Sequence, residues 1–108
     1  MASEANIQQE IRLALSGAGH LIFRNNIGAY KCPKTGRLIR YGVGDKGGSD
    51  LIGITKSGRF LAIEVKSPTG RVRPDQTNFI LAIRSKGGYA GVARSAEDAL
   101  RIAEGEVL

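Results

Sequence analysis

The sequence contains very little cysteine and histidine. It has one residue of each kind, Cys32 and His20, among 108 residues. A single chain therefore cannot form an internal disulfide, and it cannot assemble a zinc site from thiolate and imidazole ligands. Any metal site must be built from carboxylates and backbone oxygens, and these ligands suit a hard cation such as Mg²⁺ or Mn²⁺.

Long apolar runs are also absent. No stretch approaches the length that a membrane-spanning helix requires. The N-terminal sequence MASEANIQQE has no basic start followed by an apolar stretch, so it does not predict a signal peptide. We therefore expect a cytoplasmic protein that forms one domain over residues 1–108, with a core of modest size.

Positive charge is in excess, since 16 Lys and Arg residues stand against 10 Asp and Glu residues and give a net charge of +6. The basic residues concentrate between Arg24 and Arg73, whereas the segment from Ser95 onward is net acidic. This distribution suggests a polyanion-binding face. A generic solubilising surface would also explain it, and net charge alone does not decide between the two.

The segment over residues 47–66 has the pattern of a β-hairpin. Two short apolar runs, at residues 51–55 and 60–65, are separated by a Lys-Ser-Gly-Arg turn at residues 56–59. Asp50 stands before the first run, and Glu64 lies near the end of the second. The two acids are thus placed where adjacent strands begin and end.

Lys66 follows Glu64 by two residues. Because strand side chains alternate, Glu64 and Lys66 should face one side of the sheet while Ile63 and Val65 face the other. A carboxylate inside an apolar strand is costly to bury unless something pairs it. A metal ion bound where Asp50, Glu64 and Lys66 meet would explain all three charges.

Each candidate residue also has a simpler interpretation. Asp50 could cap the start of a strand, and Glu64 with Lys66 could be a cross-strand ion pair on a solvated face. Glu4 could complement the dipole of a helix at its N-terminal end, and Gln76 could be an ordinary first-turn helix residue. Taken singly, none of them indicates a site.

The remaining elements follow from apolar periodicity and turn residues, and the order of elements is α-β-β-β-α-β-α. The first helix can be capped by Ser3 or Asn6 and the second by Asp75. Gln76 lies on the inward face of the second helix, so its amide should point at the sheet. The predicted elements besides the hairpin are helices at residues 4–16, 76–86 and 96–103 and strands at residues 20–25 and 89–94.

Residues 26–48 form a glycine-rich segment. Two short runs, at residues 30–32 and 38–41, could pair across a turn at residues 33–36, which predicts a flexible basic ribbon or loop. The glycines just before Asp50 would let the backbone pass close to a ligand, and a mobile loop is the alternative.

Asp50, followed by Glu64-Val65-Lys66 on the next strand, resembles the D-(x)n-E-x-K signature of the PD-(D/E)XK nucleases. The chain is most similar to their small VRR-NUC branch, the virus-type replication-repair nucleases. Ser49 stands where the proline of the PD motif would be. That proline is variable in these nucleases, so the departure leaves the resemblance intact.

Further motifs extend the resemblance over nearly the whole chain. An S-E-x-x-I-Q helix begins at Ser3, a G-x-x-D strand entry begins at Gly47, and a G-R-x-x-P-x-Q loop and helix start begins at Gly70. Residues 87–95 then match a G-G-x-A-x-V-A-R-S pattern. A lone D…E-x-K triple arises often by chance, whereas its combination with Gln76 and the glycine pair is a specific match.

The resemblance implies a restriction-endonuclease-like α/β fold, with an αβββαβ core and a mixed central sheet flanked by helices. It implies a DNA endonuclease that depends on Mg²⁺ or Mn²⁺ and acts in a phage or bacterial host cell. Relatives made of this domain alone look like homodimers that cut branched DNA, four-way (Holliday) junctions especially. The alternatives are a structure-specific flap or single-strand nuclease and a non-catalytic DNA-binding module of the same fold.

The resemblance also implies which residues carry out hydrolysis. Asp50 and Glu64 would hold the cation, with help from the Val65 carbonyl. Lys66 would orient or deprotonate the attacking water and stabilise the charge that develops on the phosphate.

Other elements would complete this site. A glutamate of the first helix joins the site in the family; Glu4 fits by helix face and by motif, and Glu10 is the second choice. Gln76 matches the site glutamine of the family, which would position Lys66 or the water. Six basic residues are expected to contact DNA phosphates, a sequence-independent contribution, namely Arg24, Lys31, Lys34, Lys46, Arg71 and Arg73.

Overall fold

A computed structural model describes residues 3–108 of the chain. The first helix, α1 (Glu4–Gly17), begins after Ser3, whose hydroxyl accepts a hydrogen bond of 3.2 Å from the amide of Asn6. Of the two predicted caps, Ser3 is therefore the one that the helix uses. Ile7, Ile11 and Leu15 form the buried face of α1, as helical spacing predicts.

A four-stranded mixed sheet forms the centre of the fold. Its strand order is β1-β4-β5-β6, where β1 pairs with β4 and β4 with β5 antiparallel, and β5 pairs with β6 parallel. The predicted hairpin is confirmed as the β4–β5 pair, and the α/β class with a mixed sheet flanked by helices is confirmed as well. The four strands are β1 (Leu21–Arg24), β4 (Leu51–Ile54), β5 (Phe60–Val65) and β6 (Tyr89–Ala93).

Helices cover both faces of this sheet. On one face, α1 and α3 (Ala96–Ala103) pack against the alternate residues Leu61, Ile63 and Val65 of β5. On the other face, α2 (Pro74–Ser85) packs Ile80 against Ala62 and Ala90. The period-2 pattern of β5 thus separates two cores, and Glu64 lies on the α2 side.

The start of α2 differs from the prediction. The helix begins at Pro74, two residues early, and its N-cap is Arg73 rather than Asp75. Proline suits the first helical position, and the Gln76 side-chain carbonyl accepts a hydrogen bond of 3.0 Å from the Arg73 amide. Asp75 consequently lies within the first turn, and its carboxylate pairs with the Arg73 guanidinium at 3.1 Å.

Strands β2 (Gly28–Lys31) and β3 (Leu38–Tyr41) form a separate two-stranded antiparallel sheet, called the ribbon below. The predicted pairing is confirmed, although β2 begins two residues before the predicted strand. The register places Tyr30 and Tyr41 on one face and Lys31 and Arg40 on the other. Every residue of β3 is exposed to solvent.

The glycine-rich segment between the ribbon and β4 packs against the start of α2. It contains a short 3₁₀ turn (Asp45–Gly47). A Cβ atom at Gly47 would collide with the carbonyl of Asp75, and one at Gly44 would collide with the ring of Phe79. These glycines therefore allow a close approach between two parts of the chain.

No helix within residues 3–108 combines the length and the apolar content needed to cross a membrane.

Candidate functional site

Asp50 and Glu64 are brought together by the register of β4 and β5. The ladder pairs Leu51 with Ile63, and one further step along it places Asp50 beside Glu64. Oδ2 of Asp50 accepts a hydrogen bond of 2.8 Å from the Val65 amide. The Asp50 carboxylate therefore continues the ladder between the two strands, which is the cap-like role that a strand-start acid can have.

Glu64 is buried, with 2% of its surface exposed. Its Oε2 accepts a hydrogen bond of 2.9 Å from Nε2 of Gln76 and lies 3.6 Å from Nζ of Lys66. Its Oε1 is buried and has no hydrogen-bond partner within residues 3–108. The alternative of a solvated ion pair is therefore wrong, because the Lys66 side chain is also only 11% exposed.

The electrostatic environment of Glu64 disfavours its ionised form. Burial, with the Asp50 carboxylate beside it, raises the pKa of Glu64 from 4.5 to about 8, and Lys66 opposes this shift. Two adjacent carboxyl groups in a poorly hydrated environment cannot both ionise readily without a nearby positive charge. A bound cation would supply that charge and return Glu64 to its ionised form.

The oxygen atoms present fit a hard divalent cation. Oε1 of Glu64 is free to act as a ligand, and the Asp50 carboxylate lies beside it. The N–H and C=O of one strand residue point to the same side, so the Val65 carbonyl emerges toward Asp50 as its amide does. Across residues 3–108, no group of three His, Cys, Asp or Glu side chains could hold a metal, so backbone, water or substrate oxygens would complete the coordination.

A cleft of about 320 Å³ opens at Asp50 and Gln76. Three predicted phosphate-contacting residues line it, namely Arg24, Lys46 and Arg73. The basic side chains therefore surround an acidic centre, the arrangement that a polyanionic substrate with a metal-dependent reaction needs.

A comparison with protein families supports the same conclusion. The sequence matches the family described as the VRR-NUC domain over residues 21–97, which is more than half of the chain. The chain belongs to the VRR-NUC domain family. It is thus a nuclease-type domain with DNA as its substrate, and the family generally uses divalent metals. A comparison with curated proteins finds no match.

The VRR-NUC match includes Asp50, Glu64, Lys66 and Gln76 but begins at β1, and it therefore leaves out α1 with Glu4. In the structure Glu4 and Glu10 are both exposed, and the cleft lining includes neither of them. The role predicted for a helix-one glutamate stays a prediction.

Gln8 is a cleft residue that the sequence did not single out. It lies one turn after Glu4 on the same face of α1, it is half-buried, and it lines the cleft of the VRR-NUC domain. The only pointer to it in the sequence was its place as the last letter of the S-E-x-x-I-Q motif. Helical spacing alone could not show which residue of that face reaches the cleft.

The other predicted site residues lie outside the cleft or make contacts that differ from the predicted ones. Lys31 and Lys34 are exposed on the ribbon and its turn, and Arg71 is exposed in the loop before α2. Gln76 contacts Glu64 and the Arg73 amide, whereas the predicted contact was Lys66 or a water.

Proposed function

We propose that this VRR-NUC domain is a divalent-metal-dependent DNA endonuclease whose centre is the Asp50–Glu64 pair. One observation carries the proposal: Glu64 is buried beside a second carboxylate, and its Oε1 has no hydrogen-bond partner in the described chain. A purely structural role would leave this oxygen without a partner and the unfavourable contact between two adjacent carboxyl groups without a purpose. A bound cation would take this oxygen as a ligand and would offset the repulsion between the two carboxylates.

The proposed ligands are Asp50, Glu64 and the Val65 carbonyl. Mg²⁺ or Mn²⁺ bound there would supply Lewis-acid polarisation of the scissile phosphate and favour a nucleophilic water. Glu4 is proposed to complete the site from the first turn of α1.

Lys66 and Gln76 have distinct proposed roles. The Lys66 side chain lies beside Glu64. As an ammonium it would orient the attacking water or neutralise the charge that develops on the phosphate, and as a neutral amine it would accept the proton of that water. Gln76 would fix the Glu64 carboxylate through its hydrogen bond to Oε2. The remaining oxygen, Oε1, would then be available as a ligand for the cation.

The proposed substrate is branched DNA, four-way junctions especially, and the proposed active form is a homodimer. The resemblance to stand-alone VRR-NUC proteins supports both points. Cutting two strands of a junction requires two sites, and each chain offers one Asp50–Glu64 pair. Arg24, Lys46 and Arg73 at the cleft, with the basic ribbon, would hold the phosphates.

Cleavage of labelled four-way junction, flap and linear duplex in Mg²⁺ or Mn²⁺ tests the proposal. We expect cation-dependent cutting that is fastest on the junction. Equal cutting of junction and linear duplex would contradict the branched substrate. Binding of all three without cutting, in either cation, would favour the non-catalytic module instead.

A further inference from the structure

Arg94 is the first residue after β6, and its guanidinium contacts the segment that follows β5. Nη1 of Arg94 donates hydrogen bonds of 2.6 Å to the carbonyl of Ser67 and of 2.8 Å to the carbonyl of Gly70. The Gly70 amide donates a hydrogen bond of 3.1 Å to the same Ser67 carbonyl, and this bond closes a turn. Residues 67–70 are called the 67–70 turn below.

The position of the 67–70 turn depends on Arg94. The two central residues of the turn are exposed. Across the part of the chain that the structure describes, the two bonds from Arg94 are the only hydrogen bonds that join this turn to another element. Arg94 is half-buried, and its own amide donates a hydrogen bond of 2.9 Å to Oδ2 of Asp98 at the start of α3. One side chain with a fixed backbone therefore holds the turn.

The 67–70 turn packs against the side chain of Lys66. A Cβ atom placed on Gly70 would lie 3.4 Å from Cδ of Lys66, which is an ordinary van der Waals contact. The Lys66 amide donates a hydrogen bond of 3.1 Å to the Ala93 carbonyl, so the backbone of this lysine is fixed at the end of β6. Its four-carbon side chain is flexible, and contact with the turn limits that freedom. The Lys66 side chain is only 11% exposed, and its Nζ lies 3.6 Å from Oε2 of Glu64.

We propose that Arg94 is a positioning residue, which holds the 67–70 turn against the Lys66 side chain and so keeps the Lys66 amino group beside Glu64. The inference rests on the proposed endonuclease, and it adds the residue that sets the geometry of this amino group. A reacting group must be held close to its productive position, and a displacement of about 1 Å can lower a rate by about 10²-fold. A long, flexible lysine depends on such support from neighbouring residues.

The alternative is that Arg94 binds a DNA phosphate directly, as other basic residues are predicted to do. Its guanidinium is half-buried, and both N–H groups of Nη1 are donated within the chain. These observations favour the positioning role. The two interpretations also differ in what they change, since a phosphate contact contributes to affinity and to its salt dependence, whereas a positioning residue contributes to the rate at saturating DNA.

Arg94→Met tests the inference, because methionine keeps an apolar side chain and has no hydrogen-bond donor. The matched control is Arg84→Met in the last turn of α2. Arg84 is also half-buried, and it donates hydrogen bonds of 2.8 Å to the Ala90 carbonyl and 2.9 Å to the Leu108 carbonyl. Each change removes two charged hydrogen bonds to backbone carbonyls. If Arg94 had a merely structural role, the two variants would behave alike.

Acetylation of lysine side chains by an N-hydroxysuccinimide ester, mapped by mass spectrometry in EDTA without DNA, measures how well Lys66 is covered. In the parent we expect Lys66 to react far more slowly than Lys56, which is exposed in the turn between β4 and β5. Arg94→Met should raise the rate of Lys66 toward that of Lys56, and Arg84→Met should leave Lys66 protected. Circular dichroism should show both variants folded.

Single-turnover cleavage of a labelled junction at saturating DNA measures the effect on the reaction. We expect Arg94→Met to lower this rate by about 10²-fold, whereas Arg84→Met should cut at nearly the parent rate. The Kd of the DNA complex, measured by gel shift in EDTA, should stay close to the parent value in both variants.

Three results would overturn the inference. The first is a Lys66 that stays protected in Arg94→Met or that reacts as fast as Lys56 in the parent. The second is an unchanged cleavage rate in Arg94→Met. The third is weaker DNA binding with a reduced salt slope and no change in the saturated rate, because this result would make Arg94 a phosphate contact.

Gly70→Val replaces Arg94→Met if that variant unfolds. Its side chain would be placed against Cδ of Lys66, whereas Arg94 binds only the backbone carbonyl of residue 70. We expect Gly70→Val to displace Lys66 and to lower the saturated rate, and a parent-like rate would contradict the inference.

The acetylation result does not depend on catalysis. If the parent does not cut DNA but Arg94→Met exposes Lys66, the endonuclease fails and the support of Lys66 by Arg94 stands. If the parent cuts and Arg94→Met cuts equally fast with Lys66 still protected, the inference fails and the endonuclease stands.

Discussion

The side-chain amide of Gln76 donates a hydrogen bond of 2.9 Å to Oε2 of Glu64. The carbonyl of the same side chain accepts the Arg73 amide at 3.0 Å. One residue therefore begins α2 and joins that helix to β5. The orientation of the Glu64 carboxylate depends on how α2 packs on the sheet. Within residues 3–108, Oε1 of Glu64 has no hydrogen-bond partner.

Replacing Gln76 with alanine should destabilise the protein. The change removes a buried hydrogen bond to Glu64 and the cap of the Arg73 amide, and such losses cost about 1–3 kcal/mol. Urea unfolding measures the effect, and Gln9→Ala on the exposed face of α1 is the control. Equal stability of the two variants would show that the Gln76–Glu64 bond does not hold the site together.

Replacing Lys66 with alanine should abolish cutting while DNA binding survives. Loss of a proton-transferring or charge-stabilising group lowers a rate by about 10²- to 10⁴-fold. Single-turnover cleavage of a labelled junction and a gel-shift titration separate the two effects. Lys56→Ala, in the exposed turn between β4 and β5, should cut like the parent. A Lys66→Ala protein as active as the parent would remove Lys66 from the reaction.

The stability of the metal-free protein should decrease as the pH rises. Because the folded state raises the pKa of Glu64 from 4.5 to about 8, it binds this proton more tightly than the unfolded chain does. The resulting stabilisation is complete below about pH 4.5 and is lost as the pH passes about 8.

Urea unfolding in EDTA across this range measures that loss of stability. Glu64→Gln cannot ionise at this position, so its stability should change less over the same range. Parallel pH profiles for the two proteins would exclude Glu64 as the group responsible.

Removing one phosphate contact should reduce the salt dependence of DNA binding. Lys46 lines the cleft and Lys34 lies on the ribbon turn, and each replacement by alanine should lower the slope of log K against log salt by about 1. Lys86→Ala, at the far end of α2, is the control and should keep the parent slope. An unchanged slope for Lys34→Ala would exclude the ribbon from the DNA contact.

The hairpin was predictable because its two apolar runs and its turn are local features. The early start of β2 was not, since Gly28 and Ala29 have little preference for strands. The start of α2 was missed because Arg73 is an unusual N-cap, and its amide is satisfied by the side chain of Gln76.

The site could be predicted only in part. The placement of Asp50 and Glu64 on adjacent strands could be predicted from the sequence. The cleft position of Gln8 is not, because packing of the buried face of α1 against the sheet fixes the rotation of that helix. The lack of a hydrogen-bond partner for Oε1 of Glu64 among the described residues could not be predicted either, because it depends on the three-dimensional packing around this atom.

Calorimetric titration with Mn²⁺ and Mg²⁺ tests the central claim most directly, because it measures the cation site without DNA. The account predicts one site per chain in the parent, lost in Asp50→Asn and in Glu64→Gln. Glu97→Gln, an exposed acid of α3, should bind as the parent does. Binding that persists in both site variants, or is absent from the parent, would contradict a metal centre at Asp50 and Glu64.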